Sequence, residues 1–225
     1  MVTKPGLVLQ HGSAGPPGVL GEWLARAGIA YETVAVWEGG TLPDPVGRSF
    51  IASLGSEHSV SDRDPAWIDA ELEHLDRAVQ ADVPVLGLCF GRQALSTVLG
   101  GGVEALDRPE IGWLRIHSQA DWLEPGPWLH YHNEVLQVPA GAQPLAHNDV
   151  GAAAFTFGPH LGTQFHPEAT AEMVDVWASK DHELGMAGVT RGDLAAQGAR
   201  YAKSARQAAL SLFDAWWTMA QRRLT

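Results

Sequence analysis

The chain has 225 residues, 45% hydrophobic and 18% charged, enough to bury a sizeable α/β core. A formal net charge of -11, with lysine confined to Lys4, Lys180 and Lys203, argues against a nucleic-acid or anionic-membrane surface, since both need clustered basic side chains. The sequence shows neither an apolar run of membrane-spanning length nor a basic leader followed by an apolar core, and its one cysteine forms no internal disulfide; a single domain over residues 1–225 in a reducing cytoplasm is expected.

Gly6 to Gln10 reads as a first strand, followed by the loop His11-Gly12-Ser13-Ala14-Gly15-Pro16-Pro17, which carries neither glycine-rich phosphate-binding pattern. A helix from Gly18 to Ala27 is stopped by Gly28, and Tyr31 to Val36 is the next strand. This βαβ opening predicts a parallel sheet covered on both faces, with ligands beyond the carboxyl ends of its strands. Glu38 to Pro45 is a loop, and Ser49 to Leu54 a third strand that leaves through Gly55-Ser56-Glu57-His58-Ser59-Val60. Asp64 and Pro65 predict a helix cap and first helical residue, with Trp67, Ile68, Leu72, Leu75 and Val79 on one face.

The β-branched run beginning at Val83 breaks at Gly87-Leu88-Cys89-Phe90-Gly91, and a helix follows from Gln93 to Leu99. Glycine two residues either side of the cysteine allows a strand-to-helix elbow that strains the nucleophile's backbone and pushes its sulfur out beside helix-terminal N–H groups. The competing reading is a free cysteine packed as a small hydrophobe. Gly162 to Glu168 closes another strand with His166, a base for the thiol proton, and Glu168, a carboxylate to orient that base; Cys89, His166 and Glu168 are therefore candidates for a nucleophilic triad.

Between these blocks, Ile111 to Ser118, Glu134 to Val138, Gln143 to Ala146, Ala152 to Phe157 and His160 to Phe165 read as strands, an antiparallel extension beside the parallel sheet. Thr170 to Ser179 reads as a helix. Asp193 caps a last helix through Gln221, whose Leu210, Leu212, Phe213, Trp216 and Trp217 recur at the spacing of a core face. His130 and His132 alternate as on one strand face, and His117 could join them on a metal, but no Cys, Asp or Glu recurs at ligand spacing and no metal is expected.

Pro84 to Gln93 together with Gln164-Phe165-His166-Pro167-Glu168 resembles the class I glutamine amidotransferase family. Ser53-Leu54-Gly55-Ser56, His130-Tyr131-His132-Asn133-Glu134-Val135 and Glu110-Ile111-Gly112-Trp113 lie in matching places, the last pointing to the glutaminase part of GMP synthetase and its stand-alone relatives. The resemblance implies a flavodoxin-like three-layer α/β fold, with a mainly parallel central sheet flanked by helices and a small antiparallel extension. It also implies attack by Cys89 on a γ-carboxamide through a thioester, with the N–H groups of Gly55 and Phe90 as oxyanion donors. Gln93, Tyr131 and His132 then fall where the family holds the substrate's amino-acid head. The chain departs from the family in Tyr131-His132-Asn133-Glu134, where Ser-His-x-Asp is common, and in lacking Gly-Gly-Pro before the elbow.

No cofactor is implied, and the partners are a small-molecule substrate and a possible separate synthase subunit. Three functions remain open at this level: glutaminase, stand-alone hydrolase or transferase of γ-glutamyl compounds, and non-catalytic module with the same fold.

Overall fold

The computed structural model describes residues 4–62, 64–182 and 184–222. An eight-stranded sheet is built from β1 (Gly6–Gln10), β2 (Tyr31–Ala35), β3 (Ile51–Ser53), β4 (Val85–Leu88), β6 (His117–Ser118), β8 (Gln143–His147), β9 (Ala152–Phe157) and β10 (His160–Thr163), in the order β2-β1-β3-β4-β10-β9-β8-β6. The first five strands in that order run parallel, and β9, β8 and β6 continue the sheet antiparallel. A separate two-stranded sheet pairs β5 (Val103–Leu114) with β7 (Trp128–Leu136).

The parallel strands β1, β3, β4 and β10 are buried on both faces, with β2 the more exposed edge, and alternate residues feed different cores. Val8, Ala52, Leu86, Leu88 and Leu161 meet α1 (Gly18–Ala27) and α5 (Arg191–Gln221). Leu7, Leu9, Ile51 and Val85 meet α2 (Trp67–Gln80) and α3 (Phe90–Val98). These are the three expected layers. Trp216, fully buried in the first core, donates Nε1–H to the Pro159 carbonyl at 3.3 Å, so its polar end is satisfied. A third cluster packs Ile111, Trp113 and Leu129 of the β5–β7 pair against α4 (Ala171–Lys180) and the start of α5.

Several local expectations are corrected. The strand from His160, expected in the antiparallel extension, runs parallel beside β4. Asp64 does not cap α2; the helix begins at Trp67, with no side-chain cap at Ala66. The last helix is capped by Thr190, and Asp193 sits three residues in, closing a reciprocal capping box. The strand expected from Ile111 to Ser118 is two strands in different sheets, while that expected from Glu134 begins at Trp128 and carries His130 to His132 within β7.

Register fixes where the site falls. Ser53 of β3 and Gly162 of β10 both lie opposite Gly87 of β4, so the three carboxyl ends emerge side by side at one rim. No helix among the described residues is long and apolar enough to cross a membrane.

Candidate active site

Cys89 stands between the end of β4 and the start of α3 with φ 51° and ψ -104°, a conformation L residues rarely adopt. Two glycines make the bend possible by close approach. A Cβ on Gly91 would lie 2.0 Å from the Ser53 carbonyl oxygen, and one on Gly87 would lie 2.4 Å from the Gly91 oxygen. The elbow is stapled to both neighbouring strands: Cys89 N–H donates to the Thr163 carbonyl at 2.8 Å, and Gly91 N–H to the Leu54 carbonyl at 3.1 Å.

Cys89 is 5% exposed yet borders a cavity of about 380 Å³. Its sulfur lies 3.9 Å from the backbone oxygen of Tyr131 and 3.6 Å from Gln164 Nε2. His166, just past β10, is held by its own N–H to the Leu129 carbonyl at 2.8 Å. Its Nδ1–H donates to Glu168 Oε1 at 2.7 Å, a pair almost wholly withdrawn from water. Burial disfavours a charged imidazole here, but Glu168 and the neighbouring Cys89 thiolate outweigh it and raise the His166 pKa well above the ordinary 6.5. Nε2 of His166 is buried and makes no hydrogen bond of ordinary geometry among the described residues, yet the Cys89 sulfur is near enough to favour the charged ring. The three residues expected to act together are thus brought together.

Gly55 lies against both reactive side chains. A Cβ there would be 2.8 Å from His166 Cε1 and 3.8 Å from Cys89 Cβ. Because the Leu54 carbonyl is fixed on Gly91 N–H, the Gly55 N–H of that planar trans peptide is turned the opposite way. Phe90 opens α3, so its N–H is one of the helix's orphan donors. The other face of Gly55 is pinned by residues the sequence did not single out. Its carbonyl sits 3.2 Å from His11 Nδ1; His11 Nε2 is 2.7 Å from Glu71 Oε2, and Ser53 Oγ–H donates to Glu71 Oε1 at 2.6 Å, all within the protein interior.

Of the expected substrate-binding residues, Gln93, Tyr131 and His132 all line the cavity. Tyr131 turns its hydroxyl to Asp181 Oδ2 at 2.7 Å, and burial followed by that contact raises its pKa. His132 is engaged on both sides, by Glu110 Oε2 at 2.8 Å and the Glu134 carbonyl at 2.8 Å. Burial lowers its pKa against the pull of Glu110.

Arg92, the residue after the elbow glycine, is fully buried; its guanidinium donates to Gln164 Oε1 and, at 2.6 Å, to the Ala152 carbonyl, both neutral acceptors. Burial lowers its pKa to about 9, partly offset by the Cys89 charge. The expectation that His130 and His132 lack a carboxylate partner does not hold: Glu110 Oε2 approaches both rings, while His117 stacks on His147 in the other sheet. Sequence spacing could not reveal Glu110, because strand pairing brings it in. Glu71 left a fainter trace, a carboxylate in register with Trp67 and Leu75 on the apolar stripe of α2.

Comparison with known proteins gives a consistent picture. The family model for "Glutamine amidotransferase class-I" matches residues 59–176. GMP synthase (glutamine-hydrolysing) of Dehalococcoides mccartyi is 36% identical over 99 residues, covering 40% of this chain and 19% of that protein. The Staphylococcus carnosus enzyme is 32% identical over 127 residues, 52% of this chain and 24% of its own length. The chain thus spans a quarter or less of these relatives. Among solved structures, a glutamine amidotransferase from Methylobacillus flagellatus superposes with a TM-score of 0.87 at 26% identity, covering 97% of this chain and 96% of that one. One from Thermotoga maritima gives a TM-score of 0.86 at 19% identity over 96% and 99% of the two chains.

Proposed function

The chain belongs to the class I glutamine amidotransferases, and from that premise we propose that it hydrolyses the γ-amide of glutamine through a thioester on Cys89. The observation that carries this reading is the placement of its one thiol, strained at a strand-to-helix elbow, beside an imidazole whose far nitrogen is fixed on a buried carboxylate.

His166 takes the thiol proton, and the thiolate attacks the amide carbon; the resulting oxyanion is met by the N–H groups of Gly55 and Phe90. His166 then gives its proton to the amide nitrogen. The C–N bond breaks, ammonia leaves, and the acyl group remains on sulfur. A water molecule loses a proton to His166 and attacks the thioester, and collapse of the second tetrahedral intermediate releases glutamate and restores the thiol. Glu168 holds the imidazole in the tautomer with Nδ1 protonated. Gln93, Tyr131 and His132 line the place for the amino-acid head. Ammonia would pass to a separate synthase subunit, a role supported by the GMP synthase relatives.

A second reading is favoured by one observation: among the described residues the cavity is lined by Glu57, Asp62, Glu134 and Asp181 and by no lysine or arginine. A leaving group carrying positive charge suits that wall better than neutral ammonia does, which points to γ-glutamyl derivatives of cationic amines.

Both readings are tested by incubating the purified chain with glutamine, γ-glutamyl peptides and γ-glutamyl diamines, alongside Cys89→Ser, and by acid-quench trapping of the acyl-enzyme. Glutamine turnover selects the first and turnover confined to cationic γ-glutamyl amides the second. Absence of turnover with every compound, and of any trapped thioester, overturns both.

A further inference from the structure

We infer that Glu110, His130 and His132 form a binding site for a divalent transition-metal ion of the zinc class in the wall beside the Cys89 cavity. Glu110 and His132 are register partners across β5 and β7, and His130, two residues along β7, projects from the same face. Glu110 Oε2 is 2.7 Å from His130 Nδ1 and 2.8 Å from His132 Nε2, and the two nitrogens are 3.4 Å apart. The three residues offer ligand atoms all within 4.8 Å of one another. An ion held at about 2.0–2.2 Å from each atom fits that triangle after a slight outward movement of the carboxylate.

The donor set selects the ion. Two imidazoles and one carboxylate suit zinc and its neighbours in the transition series; magnesium and calcium prefer oxygen ligands throughout. The layer outside two of the three ligands is also built, while Nε2 of His130 is buried with no hydrogen-bond partner among the described residues. His132 Nδ1–H donates to the Glu134 carbonyl at 2.8 Å, fixing Nε2 as the nitrogen turned to the site, and Asn148 Nδ2–H donates to Glu110 Oε1 at 2.7 Å, leaving Oε2 as the ligand oxygen. Such outer partners orient imidazole and carboxylate ligands in metal sites. Both His130 and His132 are buried, and Glu110 is only slightly open, so the three side chains are held in place before an ion arrives.

Tyr131 lies between the two histidines and presents its carbonyl to the Cys89 sulfur at 3.9 Å. An ion on this triad therefore pins the strand that forms the cavity wall, and three protein ligands leave a fourth position for water or a ligand group.

The site is tested on the full chain carrying Cys89→Ser, which removes the thiolate as a competing ligand. After chelator treatment, Zn(II) is titrated calorimetrically and Co(II) is followed by its visible absorption. One equivalent of Zn(II), with a tetrahedral Co(II) spectrum, is expected. His130→Gln and Glu110→Gln, each added to that background, are expected to weaken binding about 100-fold or more while far-UV circular dichroism is unchanged; should Glu110→Gln not fold, His130→Gln decides. Failure to bind one equivalent overturns the inference. So does affinity unchanged in His130→Gln, or affinity lost instead on His147→Gln, which would place the ion at the His117–His147 stack. Because binding is read without turnover, this outcome and that of the hydrolase assay are independent.

Discussion

The carbonyl of Gly55 lies 3.2 Å from Nδ1 of His11, a residue 44 positions earlier in the chain, and this contact ties the turn proposed to supply an oxyanion donor to the interior. Behind His11 stand Glu71 and, on the other carboxylate oxygen, Ser53. Ser56 stands where the family's Gly-Gly-Pro has its proline, so no ring fixes φ there, and the buried network restricts the turn instead. His11→Gln and Glu71→Gln are positioning variants. Each is expected to lower kcat about 10- to 100-fold with KM little changed, because one misdirected oxyanion donor costs about 10²–10³ in rate. Loss of a hydrogen-bond partner from this fully buried pair also destabilises the fold, by about 1–3 kcal/mol. Urea unfolding beside steady-state kinetics separates the two effects, and wild-type kcat in a folded Glu71→Gln would remove the network from the reaction.

The buried guanidinium of Arg92 faces only neutral acceptors and is partly sustained by the Cys89 charge. Arg92 thus places a buried positive charge near the reactive sulfur. It also holds Gln164, whose Nε2 points at the sulfur from 3.6 Å. Arg92→Met is expected to slow alkylation of Cys89 by iodoacetamide near neutral pH about tenfold, with partial recovery in Arg92→Lys. The rate of carbamidomethylation by mass spectrometry is the measurement. Equal rates in all three proteins would show that the sulfur does not sense this cation.

The His166–Glu168 pair gives a pH dependence of definite sign. The folded-state pKa of His166 is raised well above 6.5, chiefly by Glu168 and Cys89 working against burial. Its contribution to stability is therefore complete below the unfolded-state value and is lost as pH rises through the folded one. The alkaline limb of the activity profile is expected above the ordinary histidine range. Glu168→Gln removes the largest raising influence, so the limb moves to lower pH and kcat falls about 10²–10⁴-fold. An alkaline limb in the same place in wild type and variant would contradict the role given to Glu168.

The elbow, both reactive blocks and the parallel strands β1 to β4 were legible in the sequence because each is local: a β-branched run, a Gly-x-Cys-x-Gly bend, a helix period. Strand β10, read with the antiparallel extension, was not, because its parallel pairing with β4 joins segments far apart in the chain. What was not legible depends on pairing between distant segments. Glu110 reaches His130 and His132 only through the β5–β7 register, and a bulge between Ala105 and Glu110 shifts that register part-way along. His11 looked like a loop histidine because nothing near it in sequence hints at Glu71. The helix caps failed at the level of single residues. Asp64 precedes proline and invites a cap, yet the chain enters α2 two residues later.

Two glycines at the rim provide the sharpest contrast, because a methyl group added at each meets a different kind of neighbour. On Gly91 the new Cβ would lie 2.0 Å from the Ser53 carbonyl oxygen, which belongs to a central strand and cannot withdraw. Gly91→Ala is expected to destabilise by about 3 kcal/mol or more, at or beyond the upper end of ordinary overpacking, and to lower activity through the fold. On Gly55 the contact is 2.8 Å to His166 Cε1, a ring atom that can move a few tenths of an ångström. Gly55→Ala should keep its melting temperature within a few degrees, since the crowding is offset by about 0.4–1 kcal/mol from a stiffer unfolded chain. Its kcat should nevertheless fall about 10- to 100-fold, because the imidazole is pushed off its line to the sulfur and displacements of this kind are costly in rate. Melting curves and kcat for both variants decide the matter. If a stable Gly55→Ala turns over at the wild-type rate, the position of His166 against this turn is irrelevant to the chemistry, and the mechanism built on it fails.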